Sequence, residues 1–374
     1  MNEKNNILFG PKRNSKEIEL FLNHIFESNF KIIENNRNPI PLCIWGTHGL
    51  GKTEIVKDYA IERNWKFNYI APAQFEEMGD LHGMPTTVED SNGIKKTIYN
   101  PPDWVPNEEG PGILLIDDIN RADDRILRGC MQLLQNFELS SWKLPSKWQI
   151  VATANPEGSD YSVTPMDDAM LTRMIHLTLI YDHKVWAEWA YSSGVDSRGI
   201  SFVLTYPELI NTHRTTSRSL TQFFDLIKHI KSLKDNIELV YSIALSTLDE
   251  ITASSFVNFV NDDLQLLIEP EDILNSNNFE SIKKDILLLS KDSEGEKRTD
   301  RLSTVINRLY LYLVSSNYIN KKKHSDNLIS FLLLDFLPKD LTMSFYMDLL
   351  KNSKESVKLM LRDKKLANFL VKSM

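Results

Sequence analysis

The chain has 374 residues, of which 42% are hydrophobic and 25% are charged, and this is enough apolar material for the cores of two or three globular domains. A formal net charge of −8 argues against nucleic-acid binding over a broad surface. The first residues lack the apolar core of a signal peptide, and the longest apolar run near the C-terminus, residues 331–334, is too short to span a bilayer. Because only two cysteines are present, disulfides are not expected, and the sequence predicts a cytoplasmic protein without a membrane partner.

The first predicted elements surround a glycine-rich loop. An amphipathic helix over residues 16–34 leads into an apolar strand that ends at Trp45. A Walker A pattern comes next, and a second helix is predicted over residues 54–63. The loop residues are Gly46, Thr47, His48, Gly49, Leu50, Gly51, Lys52 and Thr53.

This loop has the residue types of a phosphate site. Glycines let successive backbone N–H groups turn towards phosphates, the Lys52 ammonium reaches the β- and γ-phosphate oxygens, and the Thr53 hydroxyl can hold Mg²⁺. The helix that follows presents its positive N-terminus to the same anion. A fortuitous glycine turn is the alternative, but the order of strand, loop and helix favours a site for a nucleoside triphosphate such as ATP, together with Mg²⁺.

A second motif follows further along the chain. Residues 66–70 are predicted as a strand, and a β-hairpin is predicted within residues 86–98 around an Asn-Gly turn. Residues 112–116 then form a buried-type strand that ends in Asp117 and Asp118. This is a Walker B pattern, in which Asp117 would hold the Mg²⁺ shell and Asp118 would polarise the attacking water.

The remaining elements complete an α/β domain and continue as helices. A helix is predicted over residues 123–137, a strand over residues 149–153, and a short helix from an N-cap at Thr164 to about Thr172. Strands that alternate with helices imply an α/β fold with a parallel sheet sandwiched by helices. The expected domains are an N-terminal helix and lead-in (1–34), an α/β nucleotide-binding domain (35–180), a helical domain (181–290) and a C-terminal helical extension (291–374).

The ordered motifs resemble those of the MoxR branch of the AAA+ ATPases, in the clade with a β-hairpin before sensor one, over residues 35–275. Besides Walker A, the resemblance rests on the segments IDDINRA (116–122), ATANP (152–156), AMLTR (169–173) and TSR (216–218). Residues 79–85, 101–106 and 143–148 resemble the segments that this family carries around its inserted hairpins. The resemblance implies a P-loop AAA+ sheet domain, an all-helical lid and Mg²⁺-dependent ATP hydrolysis.

The resemblance also implies roles for three polar residues. Asn155 matches the sensor-one residue, whose amide holds the attacking water or the γ-phosphate; the alternative is a turn-forming asparagine. Arg173 matches the arginine finger that reaches the ATP of a neighbouring subunit; the alternative is a cation that complements a helix dipole. Arg218 matches the sensor-two arginine of the lid, with Arg214 as the competing candidate.

Two positions depart from the family pattern. Asp118 stands where the family commonly has glutamate, and moving a base by roughly an ångström can cost about 100-fold in rate, so slow turnover is expected. Thr172 replaces an acid that usually precedes the finger at Arg173. Arg121 follows the pattern and is expected near a subunit interface, with a structural salt bridge as the alternative.

The sequence therefore predicts a chaperone-like, protein-remodelling ATPase that works as a homo-oligomeric ring, a hexamer. By resemblance, hairpins within residues 86–100 and 140–148 face the pore, and the partner is a von Willebrand factor A domain protein or another protein client. A nucleotide-gated switch or scaffold with slow hydrolysis is an alternative that Asp118 favours. A nucleic-acid motor is a third reading, which the net charge disfavours although both hairpins carry lysines. These are Lys95, Lys96, Lys143 and Lys147.

Overall fold

A computed structural model describes residues 9–89, 91–157, 162–264, 267–291, 295–315, 318–366 and 369. The chain divides into two compact units, Met1–Asp182 and His183–Met374. The first unit is an α/β domain, and the second is built from helices.

The first unit alternates strands and helices along the chain. Its strands are β1 (Lys12–Arg13), β2 (Leu42–Trp45), β3 (Lys66–Ile70), β4 (Met84–Glu89), β5 (Lys95–Asn100), β6 (Gly112–Ile116), β7 (Glu138–Leu139), β8 (Trp142–Lys143), β9 (Trp148–Ala154) and β10 (Ile175–Leu179). Its helices are α1 (Ser15–Glu34), α2 (Lys52–Glu62), α3 (Met78–His82), α4 (Asp124–Asn136) and α5 (Asp168–Leu171).

A six-stranded parallel sheet, in the order β1-β10-β2-β9-β6-β3, forms the centre of this unit. Strands β2, β6 and β9 are buried along their whole length, as expected for parallel strands covered on both faces. The predicted α/β sandwich is therefore confirmed. Strands β1 and β10 were not predicted, because β1 has two residues and His176 and Thr178 interrupt the apolar pattern of β10.

Helices cover both faces of the sheet. On one face, Ile18, Leu22 and Phe26 of α1 pack with Val56 and Ala60 of α2 in a core that includes Ile44, Leu115 and Val151 of the sheet. On the other face, Leu127, Cys130 and Leu134 of α4 pack with Cys43, Leu114 and Ile150. The sheet is therefore held between two apolar layers.

Two antiparallel hairpins extend from this unit. The first, β4–β5, agrees with the predicted hairpin, although Asp90 of the predicted turn lies outside the described residues. The second, β7–β8, turns at Ser140 and Ser141 and therefore lies earlier in the chain than the predicted segment 140–148. By Trp148 the chain has already entered the central strand β9.

The prediction of an N-cap at Thr164 was wrong. The cap of α5 is Asp167, whose carboxylate accepts a hydrogen bond of 2.8 Å from the backbone N–H of Met170. The Thr164 hydroxyl donates instead to the carbonyl of Ala122 at 2.7 Å. Asp167 therefore provides the type of cap that was expected from Thr164. The side chain of Thr164 instead binds the segment at Ala122.

The described part of the second unit consists of helices joined by loops, in agreement with the prediction. Its helices are α6 (His183–Ser192), α7 (Ser197–Thr205), α8 (Ser217–Ile227), α9 (Ile237–Thr247), α10 (Glu250–Asn258), α11 (Pro270–Asn275), α12 (Phe279–Leu289), α13 (Thr299–Val314), α14 (Lys322–Leu332), α15 (Lys339–Asn352) and α16 (Glu355–Met360). In the part of the chain that the structure describes, no helix has the length and apolarity needed to cross a membrane.

Candidate nucleotide-binding site

With the exception of Arg173, the predicted site residues of the first unit meet where three parallel strands end. Trp45, the last residue of β2, is paired with Ala154, the last residue of β9, and Ile116 at the end of β6 is paired with Ala152. The segments that follow these strands therefore leave the sheet at the same edge. They are the glycine-rich loop, the pair Asp117 and Asp118, and Asn155.

The glycine-rich loop has the backbone conformation that its glycines allow. Gly49 has φ 74° and Gly51 has φ 88°, both in the left-handed region. A Cβ on Gly51 would meet no atom within 4 Å, so the conformation, and not the space, favours glycine there. Gly51 is also the N-cap of α2 and provides no side-chain cap, so the positive end of this helix is available to an anion.

Lys52 is folded into the loop that it follows. Its side chain is 6% exposed, and its Nζ donates to the carbonyls of Gly46 at 2.8 Å and Thr47 at 3.1 Å. Nζ also donates to Oδ1 of Asn155 at 3.2 Å. Burial lowers the pKa of Lys52 from 10.5 to about 8, and the nearby carboxylates Asp118 and Asp117 oppose this shift.

Three hydroxyl groups converge on the carboxylate of Asp117. Its Oδ1 accepts from the hydroxyl of Thr53 at 2.8 Å and from that of Thr153 at 2.6 Å. Its Oδ2 accepts from the phenol of Tyr69 at 3.1 Å. Burial and the adjacent Asp117 raise the pKa of Tyr69 to about 12, so this phenol is a hydrogen-bond donor at neutral pH.

Asp118 is held in an unusual backbone conformation beside a cation. Its φ of 48° lies in the left-handed region, and its backbone N–H donates to the hydroxyl of Thr153 at 2.8 Å. Its Oδ2 lies 3.1 Å from Nε of Arg121. The salt bridge that was an alternative for Arg121 is thus present, and its partner is the predicted catalytic carboxylate.

Asn155 is clamped by a second asparagine. The amide nitrogen of Asn120 donates to the carbonyl of Asn155 at 2.8 Å, and the backbone N–H of Asn155 donates to Oδ1 of Asn120 at 3.0 Å. Both residues are fully buried. The Nδ2 of Asn155 is buried without a hydrogen-bond partner, and an unsatisfied buried donor costs about 1–3 kcal/mol.

These residues fit a nucleotide with its cation. A phosphate oxygen would satisfy the unpaired Nδ2 of Asn155, and Lys52 brings a buried positive charge to the same edge of the sheet. Thr53 and Asp117 offer the hydroxyl and carboxylate oxygens that Mg²⁺ prefers, and they are the residues that would hold it. When bound, Mg²⁺ supplies charge neutralisation on the phosphate oxygens.

Arg173 lies at the opposite edge of the sheet. It precedes β10, whose first residue, Ile175, pairs with Leu42 at the start of β2. The phosphate loop begins at the other end of β2, roughly 10 Å further along the strands. The Nε of Arg173 donates to Oε1 of Gln135 at 3.0 Å, and its guanidinium also donates to the carbonyl of Ala169 on α5.

Arg218 and Arg214 belong to the helical unit. Arg218 is in the first turn of α8, and its side chain is exposed. Arg214 is also exposed, and its guanidinium donates to the carbonyl of Ser246 at 3.3 Å. The resemblance assigned sensor two to Arg218, and this assignment stays a prediction.

Two residues of the site were missed in the sequence. Thr153 is a fully buried threonine in the apolar strand β9. It lies two residues before Asn155, and residues spaced by two along a strand point to the same face, so its position could have indicated a role in the site. Tyr69 had no such signal, because a tyrosine near the end of a strand is common in any sheet. Its contact with Asp117 depends on the pairing of β3 with β6.

Part of the first unit is similar to a known protein family. Residues 41–174 match the family model of the AAA domain (dynein-related subfamily). No curated protein matches the chain. Similar solved structures include the Thermotoga maritima RuvB Holliday junction branch migration motor, with a TM-score of 0.38 and 15% identity over 84% of this chain and 94% of that chain. A mutant of the same RuvB has a TM-score of 0.41 and 15% identity over 84% of this chain and 95% of that chain. From the match to the family model and the arrangement of its motifs, we conclude that residues 41–174 form an AAA domain.

Proposed function

We propose that the chain is an ATP-dependent protein-remodelling ATPase that acts in the cytoplasm as a homo-oligomeric ring, a hexamer. The observation that carries the proposal is the convergence of Lys52, Thr53, Asp117 and Asn155 at one edge of the sheet. A hydroxyl, a carboxylate, a buried cation and an unpaired amide are together suited to a Mg²⁺-nucleotide and to few other ligands.

Each residue has a separate task in this proposal. Lys52 and the N–H groups of the loop bind the phosphates, and Thr53 and Asp117 hold Mg²⁺. Asn155 donates from Nδ2 to the γ-phosphate or to the attacking water. Asp118 accepts the proton of that water as it attacks, once its carboxylate has left Arg121.

Arg173 is proposed to complete the site of a neighbouring subunit. Its position before β10, at the edge opposite to the phosphate loop, argues against a role in its own subunit's pocket. A guanidinium supplied by another subunit stabilises charge on the transferred phosphoryl group, and such fingers contribute about 10³- to 10⁵-fold in rate. Its hydrogen bond to the carbonyl of Ala169 is consistent with the alternative structural role as a helix-terminal cation.

The two hairpins are proposed to act on a protein client. They are joined to each other, because the backbone N–H of Tyr99 in β5 donates to the hydroxyl of Ser141 at 3.0 Å. The indole of Trp142 in β8 donates to the carbonyl of His82 at 2.9 Å, next to the start of β4. A motion of one hairpin would therefore carry the other. By resemblance, we propose a von Willebrand factor A domain protein or another protein as the client.

A specific observation favours a second function, that of a nucleotide-gated switch with slow hydrolysis. The shortened carboxylate of Asp118 is already paired with Arg121 at 3.1 Å, so this ion pair must open before Asp118 can act as a base. Such a protein would assemble on ATP and hydrolyse it rarely. In this case Asp118→Glu would raise turnover, because the longer side chain restores the reach to the water.

Steady-state ATP hydrolysis measured across protein concentration tests the proposal, with the size of the particle followed by light scattering. Turnover that rises as a ring forms, and that needs Mg²⁺, would support a ring ATPase with sites between subunits. Assembly on ATP without measurable turnover would support the switch. If the protein stays monomeric and its rate per subunit does not depend on concentration, both the ring ATPase and the switch are contradicted.

A further inference from the structure

Three hydroxyl groups, those of Thr53, Thr153 and Tyr69, form a clamp on Asp117, and the proposed function gives no task to that of Tyr69. The phenol of Tyr69 donates to Oδ2 at 3.1 Å, whereas the two threonine hydroxyls donate to Oδ1. Tyr69 is the fourth residue of β3 and pairs with Leu115 of β6, two residues before Asp117. The phenol is thus presented to the carboxylate by the neighbouring strand.

We propose that Tyr69 is a positioning residue for the Mg²⁺ ligand Asp117 and sets the affinity of the nucleotide site for the cation. The inference rests on the proposed function and deepens it. It assigns to Tyr69 no contact with nucleotide and no part in proton transfer.

The geometry explains why one hydroxyl should matter. Oδ1 of Asp117 already accepts two hydrogen bonds, from Thr53 and Thr153, and a carboxylate held only at that oxygen can still rotate about its Cβ–Cγ bond. The bond from Tyr69 to Oδ2 fixes the plane of the group. Groups that orient a metal ligand in this way typically contribute 10- to 100-fold to metal affinity.

The clamp is compatible with bound cation. The Thr53 hydroxyl uses its proton for Asp117 and keeps its oxygen lone pairs for Mg²⁺. Tyr69 is 46% exposed, so its ring contributes little to the core, and its hydroxyl can be removed without opening a cavity. A loss of Mg²⁺ affinity in a variant without this hydroxyl would therefore report on the clamp and not on packing.

The test compares Tyr69→Phe with the intact chain, using a fluorescent methylanthraniloyl derivative of ADP as the probe. Its binding is measured in EDTA and across a Mg²⁺ titration, so that nucleotide affinity and cation affinity are separated. We expect the half-saturating Mg²⁺ concentration to rise about 10-fold, the lower end of the usual range, with affinity in EDTA unchanged. Tyr59→Phe is the matched control, because its phenol donates to Asn23 at 2.8 Å within the same unit.

Each outcome has one meaning. A rise in half-saturating Mg²⁺ confined to Tyr69→Phe supports the inference. An unchanged or lower value in that variant, while the intact chain shows Mg²⁺-dependent binding, overturns the role of Tyr69 and leaves the proposed function standing. If the intact chain binds the probe neither with nor without Mg²⁺, the proposed function fails and this inference fails with it.

Discussion

Nζ of Lys52 lies 3.2 Å from Oδ1 of Asn155, and this contact joins the phosphate loop after β2 to the end of β9. Before nucleotide binds, the buried ammonium is thus satisfied by Asn155 and by two carbonyls of its own loop. The same amide has its Nδ2 unpaired and buried. One phosphate group could therefore accept hydrogen bonds from both Lys52 and Asn155. The contact between these two residues predicts that nucleotide binding changes the position of the Asn155 side chain.

Replacing Lys52 with alanine should strongly weaken nucleotide binding. The site would lose its only buried charge-assisted donor among the described loop residues, and such bonds contribute about 1.5–3 kcal/mol, or roughly 10- to 100-fold in affinity. Lys57→Ala, on the exposed side of α2, is the control. Binding of labelled ADP by anisotropy is the measurement. Equal affinities for the two variants would contradict the assignment of the loop.

Nucleotide affinity should fall with rising pH above about 8. In the folded protein without nucleotide, burial lowers the pKa of Lys52 to about 8, so the ammonium loses its proton as the pH rises through that value. Bound phosphate favours the protonated form, and affinity therefore decreases by about tenfold per pH unit above the lowered pKa. Titrations of labelled ADP from pH 7 to 9.5 measure this slope. Lys52→Arg stays charged throughout and should give a flat profile.

Asn155→Ala should separate binding from turnover. The side chain offers a buried donor that makes no bond in the free protein, and loss of one donor aimed at developing charge costs about 100-fold in rate. Binding of ADP should change much less. Asn68→Ala provides a control, because its amide donates to Trp104 and not to the site. A variant with normal turnover would show that Asn155 serves only as a turn residue before Pro156.

Thr153→Val should damage both stability and turnover, whereas Thr153→Ser should preserve both. The hydroxyl donates to Asp117 at 2.6 Å and accepts from the N–H of Asp118 at 2.8 Å, and valine has the same shape without these bonds. Because Thr153 is fully buried, we expect the free energy of unfolding to fall by about 1–3 kcal/mol in the valine variant. Urea unfolding and ATP turnover measure the two effects. A stable and active valine variant would show that the hydrogen bonds of the Thr153 hydroxyl with Asp117 and Asp118 are dispensable.

A mixture of two inactive variants should recover activity. Arg173→Ala subunits keep an intact pocket, and Lys52→Ala subunits keep an intact arginine at the opposite edge of the sheet. Interfaces that combine the two intact halves should hydrolyse ATP if Arg173 acts on a neighbouring subunit. The measurement is the ATPase rate across mixing ratios at fixed total protein. Activity that never exceeds the sum of the separate variants would reject the role of Arg173.

Much of the fold and the site could be predicted from local pattern. The glycine loop between strand and helix, and the apolar run before Asp117, are features of consecutive residues, and the helix and strand lengths follow from hydrophobic periodicity. Since parallel strands end at one edge, placing Lys52, Asp117 and Asn155 together needed only the knowledge that their strands share a sheet. Local pattern could not predict whether Thr164 or Asp167 caps the helix. The choice depends on a tertiary contact, because the Thr164 hydroxyl donates to the carbonyl of Ala122 and Asp167 caps the helix.

By itself, the sequence determined the AAA-type motifs, their chemistry and the order of strands and helices around them. Only the tertiary structure decided that Tyr69 and Thr153 would hold Asp117, that Arg121 would pair with Asp118, and that Arg173 would stand at the far edge. The contacts of Tyr69 and Thr153 with Asp117 join different strands, so their distances depend on strand register, whereas the pair of Asp118 and Arg121, three residues apart, depends on the path of the backbone. The amino-acid type determines which hydrogen bonds a side chain can make, and the packing of the folded chain determines which of them form.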